Sequence, residues 1–268
     1  ARRRRRSVVV YRRHPHGGRA RLLAASRLAA RLADRTIVSC EAMRQRAAED
    51  DGTSLSRIDI AASGAVDWVV PAAADVAAAR QGLGIPPAAR VIGVVSRLRW
   101  EKGIDILIGA LDRIGEVGEV HAVVIGTGPE EARLRQLAAR SRTVVHFLGH
   151  RHDVSRWLAM ADVIAMPSRR EAFGRVTLEA MAAGRPLVVS RVGGLTEGVV
   201  HQETGLIVPP ENPQALAAAL GTILGDHRIA RRLGEAARRR YEAHYTLDHM
   251  ACAWRGAWER AATGGGVC

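Results

Sequence analysis

From residue 91 onward, short apolar runs alternate with stretches of helical period. The runs are "VIGVVS" (91–96), "HAVVIG" (121–126), "VVHFLG" (144–149), "DVIAMPS" (162–168), "PLVVS" (186–190) and "GLIVP" (205–209). They lack the polar alternation of a half-exposed strand, so they predict strands buried on both faces. Between them, "GIDILIGALDRIG" sets Ile104, Leu107, Ile108 and Leu111 at helical spacing. "PEEARLRQLAARS" opens on Pro129 and two acids, and "DVSRWLAMA" follows a capping Asp153. "NPQALAAALGTILG" places Asn212 at the cap and Pro213 at the first helical position. Six strand–helix alternations predict an α/β fold, a doubly wound parallel Rossmann-like sheet with helices on both faces.

The flanks follow the same grammar less completely. "VVVY" (8–11) and "TIVS" (36–39) predict strands, and "ARLLAASRLAARLAD" and "EAMRQRAAED" predict helices. Two strands do not make an independent sheet. Residues 1–70 therefore read as a partial second α/β domain whose beginning is absent, with the start of a linker region that runs from "AASGAVDWVVP" (61–71) along the Ala-rich stretch to Pro87. Residues 71–245 form the main domain. "HRIARRLGEAARRRYEAHY" and "TLDHMACAWRGAWERA" predict two more helices, the last within a carboxyl-terminal segment, 246–268, that crosses back to the first domain. The tail "TGGGVC" reads as disordered.

Composition changes this picture little. Hydrophobic residues make up 47% of the chain and aromatics 4%, so Ala, Val, Leu and Ile carry the packing. Charge changes it more. The net charge is +13, but residues 1–35 hold twelve arginines against one acid, Asp34, which leaves the body nearly neutral. "RRRRR" at 2–6 suits the phosphates of anionic lipid or nucleic acid, or is a solvated run. No aromatics interleave with it for base stacking, so specific nucleic-acid binding is not expected. Peripheral contact with an anionic membrane remains an open partner. Cys40, Cys252 and Cys268 fit neither a metal spacing nor a disulfide framework, which favours a cytoplasmic location. No run approaches 18 apolar residues, and the basic start precedes too short an apolar stretch for a signal peptide.

Ligands of open parallel sheets bind at the carboxyl ends of the strands, so the loops there carry the candidate chemistry. Lys102 is the one lysine among 39 arginines. It stands in "SRLRWEKG", five residues after Arg97 and at the start of the next helix. Two cations and a helix terminus suit a diphosphate, and a compact ammonium fits a tight Lys-Gly turn better than a guanidinium does. The plainer alternative is a salt-bridged helix start with Glu101. In "GTGPEE", Gly126 and Gly128 let backbone approach a ligand, or simply make the turn. "PSRREAFGRVTLEAMAAG" carries Glu171 in a loop and Glu179 inside the following helix, eight positions on. A glutamate on the packing side of a helix is costly unless bonded, and a sugar diol can supply the bonds. Phe173 and Gly174 supply backbone N–H groups at that helix start. Gly193 and Gly194 read as turn geometry, and His121, His146 and His150 as core or surface residues. No His cluster or D-x-D implies a metal.

The order "SR…EKG", "VVIGTGPEE", "VVHFLGH", "ADVIAMPSRREAFGRVTLEAMAAGRPLVVSRVGG" and "E…TGLIVPPENPQALAAAL" resembles family-4 glycosyltransferases of the GT-B fold. The likeness covers about 90–225, more weakly 34–71, and its most specific elements are E-x7-E and the Arg97/Lys102 pair. The resemblance implies transfer of a hexose from a nucleotide-diphospho-sugar donor to a lipid, glycan or small-molecule acceptor, with retention of configuration and no metal or cofactor. It implies that Arg97 and Lys102 hold the diphosphate and stabilise charge on the departing group. Glu179 would bind the ribose, Glu171 the hexose, and the backbone around Phe173 and Gly174 the sugar and phosphate, with Gly126 and Gly128 on the donor side. On this resemblance most of the first domain would be missing, and "SGAVDW" (63–68) stands where such linkers often read Asn-Gly-Val-Asp. His14 is the nearest candidate for a first-domain catalytic histidine. Two other readings stand beside this one: a non-catalytic nucleotide-sugar-binding fragment with a basic arm, and a GT-B-like epimerase or phosphorylase.

Overall fold

The computed structural model describes residues 9–11, 20–65 and 71–263. The arginine run, His14 and the last five residues of the tail lie outside them. In chain order the elements begin with β1 (Val9–Tyr11), α1 (Ala20–Leu32), β2 (Arg35–Val38), α2 (Glu41–Asp51) and β3 (Ile58–Ile60). Then come α3 (Ala73–Gly82), β4 (Arg90–Val95), α4 (Ile104–Leu111), β5 (Val120–Ile125), α5 (Glu131–Ala138), β6 (Val144–Phe147) and α6 (Val154–Met160). The rest are β7 (Val163–Met166), α7 (Arg175–Ala182), β8 (Leu187–Ser190), α8 (Leu195–Gly198), β9 (Gly205–Val208), α9 (Pro213–Gly225), α10 (His227–His244) and α11 (Leu247–Ala262). They form two compact units: one runs to Gly64 and resumes at Tyr245, the other is Ala65–His244.

The first unit holds a parallel sheet in the order β1-β2-β3. Its third strand, Ile58–Ile60, has no apolar run to announce it, because Asp59 sits at its centre. Asp59 is buried, and Arg35 and Arg260 both donate to its carboxylate, at 2.9 and 3.0 Å. That ion pair fastens α11 to the sheet, and Ala257 of α11 packs with Ile37 and Ala61.

The second unit is a six-stranded parallel sheet in the order β6-β5-β4-β7-β8-β9. All six strands stand where the apolar runs predict them. Val91, Ile92, Val123, Val163, Ile164, Val188 and Val189 are fully buried, as strands covered on both faces require. The chain builds outward from β4 to β6, then returns to β7 on the other side of β4, so order reverses between β4 and β7. The carboxyl ends of those two strands bound the crevice that such a reversal leaves open.

Local details differ from expectation in three places. The Ala-rich stretch before Pro87 is not linker: it contains α3, which belongs to the second unit, and Arg80 from it donates to Ala89 O (2.9 Å) and to Asp162 (3.2 Å). A helix that packs mainly through alanine shows little hydrophobic period. Asp153 stands at the start of α6 but does not cap it; its Oδ1 accepts from Trp157 Nε1 at 3.1 Å. Helix α5 starts after Glu130 rather than at Pro129. Asn212 does cap α9, accepting from Ala215 N at 2.9 Å.

Candidate functional site

Three loops converge at the β4/β7 switch point. The first leaves β4 through Ser96 and Arg97, makes a 3-10 turn at Trp100–Lys102 and enters α4 through Gly103. Gly103 has φ 65°, and a Cβ there would run into the carbonyl of Pro167, just past β7. Only glycine lets the two loops lie this close. The second loop answers with backbone: Arg169 N donates to Glu101 O at 2.9 Å. Its side chain completes a clamp. The Arg169 guanidinium forks onto Asp105 (2.8 and 3.0 Å), donates to Trp100 O (2.9 Å) and Glu211 (3.0 Å), and lies 4.9 Å from the Trp100 ring centroid. Burial opposes ionisation of Asp105, but hydrogen bonds and charge from Arg169, with Arg133, hold its carboxyl below the usual range. The third loop, after β8, closes in where Gly194 N donates to Ala172 O at 2.8 Å.

The clamp brings Lys102 Nζ to 2.5 Å from Glu171 Oε2, with the side chains only 17% and 10% exposed. Glu171 Oε1 also accepts from Ala172 N at 3.2 Å. The alternative partner, Glu101, lies instead 3.3 Å from Arg99. A cavity of about 180 Å³ opens beside the pair, between the ends of β4 and β7 and the first residues of α7. Arg97, Lys102, Glu171 and Gly174 line it, together with Arg175 and Val176. Arg97 is exposed and has no acidic partner among the described residues. The first backbone N–H groups of α7 lack intrahelical partners, as at any helix start.

The other expected residues stand around this cavity rather than in its wall. Glu179 sits one turn into α7, 18% exposed, with Arg175 Nη2 at 3.7 Å as its nearest cation. Burial raises its pKa, and the charge of Arg175 offsets part of that rise. Phe173 is buried and contributes its ring to packing. A Cβ at Gly126 or Gly128 would strike the carbonyl of Ser96 or Leu98. These glycines therefore brace the β4 loop, with Leu98 N donating to Thr127 O at 2.9 Å. Their turn role is thus the one visible in the packing.

Sequence reading missed Arg169, Asp105 and Arg175. Arg169 and Asp105 are 64 residues apart, and nothing local marks them as partners. His121 and His146 form a stacked pair at the β5/β6 side of the sheet, ring nitrogens 2.9 Å apart, away from the cavity. Among the described residues, no group of three or more His, Cys, Asp or Glu side chains is placed to hold a metal ion. No helix among them is long and apolar enough to cross a membrane.

A doubly wound parallel sheet in this strand order, with a cation- and carboxylate-lined crevice at its switch point, has the Rossmann-like architecture of one GT-B domain. The family described as "Glycosyl transferases group 1" matches residues 75–240, and the chain belongs to it. D-inositol 3-phosphate glycosyltransferase of Jonesia denitrificans is 37% identical over 195 residues, 68% of this chain and 46% of that protein. Glycogen synthase of Mycobacterium tuberculosis is 38% identical over 165 residues, 59% of this chain and 40% of that protein. The chain spans about half the length of the curated relatives it matches. Among solved structures, Anabaena HepE in complex with UDP and glucose superposes with a TM-score of 0.88 at 26% identity, covering 95% of this chain and 72% of that one.

Proposed function

We propose that the chain is the donor-binding part of a family-4 glycosyltransferase that moves a hexose from a nucleotide-diphospho-sugar to an acceptor, with retention of configuration. One observation carries the reading: Arg97, Lys102, Glu171 and the start of α7 surround a single cavity at the switch point. Arg97 and Lys102 hold the diphosphate together with the N–H groups at Gly174–Val176, where the helix dipole favours negative charge. Glu171 accepts hydroxyls of the hexose. Glu179, half-buried and poorly paired, accepts the ribose diol, whose donors would supply the bonds it lacks. As the glycosidic bond breaks, charge accumulates on the diphosphate, where the two cations and the helix start stabilise it. That electrostatic role needs neither a protein nucleophile nor a metal. The complexes of HepE with UDP, and with UDP and glucose, support this donor class. The unit built on β1–β3 and α11 is assigned to the acceptor-side domain, the acceptor being a lipid, glycan or small molecule, and the setting is the cytoplasm or its membrane face.

Calorimetry with UDP, GDP and ADP, and with the matching nucleotide-sugars, tests the donor assignment. At least one nucleotide diphosphate should bind and raise the melting temperature. No shift with any of them at millimolar concentration overturns it.

A further inference from the structure

The donor crevice occupies one edge of the six-stranded sheet. At the opposite edge, where β4, β7 and β8 begin, lies a second cavity of about 560 Å³. Its floor is apolar, made by Ile223 and Leu224 of α9, Ala230 of α10 and Pro186. Its wall is cationic: Arg90, Arg185, Arg231, Arg238 and Arg239, with His227, against the carboxylates of Asp162 and Glu235. The two cavities are separated by the length of β4, whose six residues span about 20 Å. They are therefore distinct sites.

The cationic excess is not absorbed internally. Asp162 Oδ2 already accepts from Val91 N (2.7 Å) and Arg80 (3.2 Å). Glu235 lies 3.9 Å from Arg231 along α10, and both are well exposed. Arg238 is committed to Glu242 at 2.6 Å and to the Ala182 carbonyl. Among the described residues, Arg90 and Arg239 have no carboxylate partner. Arg185 is the most telling. Its Nη1 donates to Ala161 O at 3.2 Å, but its Nε is buried with no partner among the described residues. Burial pulls this guanidinium below its ordinary range, the charge of Asp162 opposing and that of Arg80 adding to the effect. Arg185 as a whole is half-buried and lines the cavity, so an anion there gains a charge-assisted contact in a partly desolvated site. The start of α10 is not the attraction, since Asp226 Oδ1 already accepts from Arg228 N at 2.7 Å.

We propose that this cavity is a second anion site, which takes a small phosphorylated molecule, with its phosphate on Arg185, Arg90 and Arg239 and its body on the apolar floor. Planar guanidiniums match phosphate oxygens in pairs, and the volume lies within the range of small-molecule pockets. The apolar floor suits the carbon face of a sugar or a base rather than a bare inorganic ion, so phosphate and pyrophosphate serve as minimal ligands.

The test is calorimetry of the full chain with inorganic pyrophosphate at matched ionic strength, in the wild type and in Lys102→Ala, which weakens the donor crevice. Lys102→Ala should retain a pyrophosphate site. Arg90→Ser and Arg239→Ser, introduced into Lys102→Ala, should each weaken that site about ten-fold or more, the loss of a charge-assisted contact. The same substitutions in the wild-type chain should leave UDP affinity unchanged, which also shows that they fold. Pyrophosphate binding that vanishes in Lys102→Ala, or that survives both arginine substitutions undiminished, overturns the proposal.

Discussion

Lys102 and Glu171 form an ion pair, and on the proposed donor assignment its two members should pull nucleotide binding in opposite directions. The Lys102 ammonium is held by the Glu171 carboxylate at 2.5 Å, with 17% and 10% of the side chains exposed. Exposed ion pairs contribute about 0–1 kcal/mol, and removal of one partner of a fully buried pair costs about 3–5 kcal/mol. This pair lies between those regimes, so Lys102→Ala should destabilise the unliganded protein by about 2 kcal/mol. Lys102→Met/Glu171→Leu should recover most of that loss, because no uncompensated charge remains. Binding should separate the residues further. Lys102→Ala should weaken UDP by about 1.5–3 kcal/mol, roughly 10- to 150-fold. Glu171→Gln should tighten UDP, because it frees the ammonium and removes a negative charge beside the phosphates. It should nevertheless abolish the extra affinity of the nucleotide-sugar over UDP. Urea denaturation of the two single variants and the double variant gives the stability cycle, and calorimetry with UDP and its sugar gives the binding cycle. A cycle with no coupling energy, or a Glu171→Gln protein that binds UDP more weakly than wild type, refutes the assignment of both residues.

Three further outcomes follow from other parts of the site. Glu179 has its folded pKa raised by burial, so its stabilising effect is full below the unfolded pKa and is lost as pH rises through the folded value. Glu179→Gln should therefore be neutral or stabilising near pH 7, yet weaken nucleotide binding; thermal melts from pH 4 to 8 beside UDP titrations check both signs. Asp105 is the opposite case: its pKa is lowered, so its contribution is present above the unfolded value, near 3.9, and is lost as pH falls below it. Asp105→Asn should cost about 1–3 kcal/mol at pH 7, with the gap from wild type narrowing in acid melts. Gly103→Ala should cost at least about 1 kcal/mol and loosen UDP binding, since φ is 65° and the added methyl meets the Pro167 carbonyl; an unchanged denaturation midpoint would contradict the packing of the two loops.

Much of the second unit was legible in one dimension. The six apolar runs stand as six strands, five of them largely buried and the edge strand β6 only partly covered, with Val144 exposed; the Asn212 cap and the start of α7 fall where their residues predict. These features depend on neighbours within a few residues, so period and capping chemistry report them directly. Candidate residues just after the strand ends were also legible, because a parallel sheet places its loops on one edge. Where local pattern is weak, the reading thinned: β3 carries a buried aspartate at its centre, and α3 packs through alanine.

The tertiary structure alone decided which loop residues meet. Lys102 and Glu171 are 69 positions apart, and Arg169 and Asp105 are 64 apart. Their partnership arises from the reversal of strand order that sets β4 beside β7, which no periodicity encodes. The same folding turned Gly126 and Gly128 into braces for the β4 loop and left Glu179 beneath the cavity rather than in its wall. It also gathered arginines from a strand start, a loop and a helix at the far edge of the sheet. In sequence they are part of an arginine-rich background; in space their charges share one cavity whose two acids do not neutralise them.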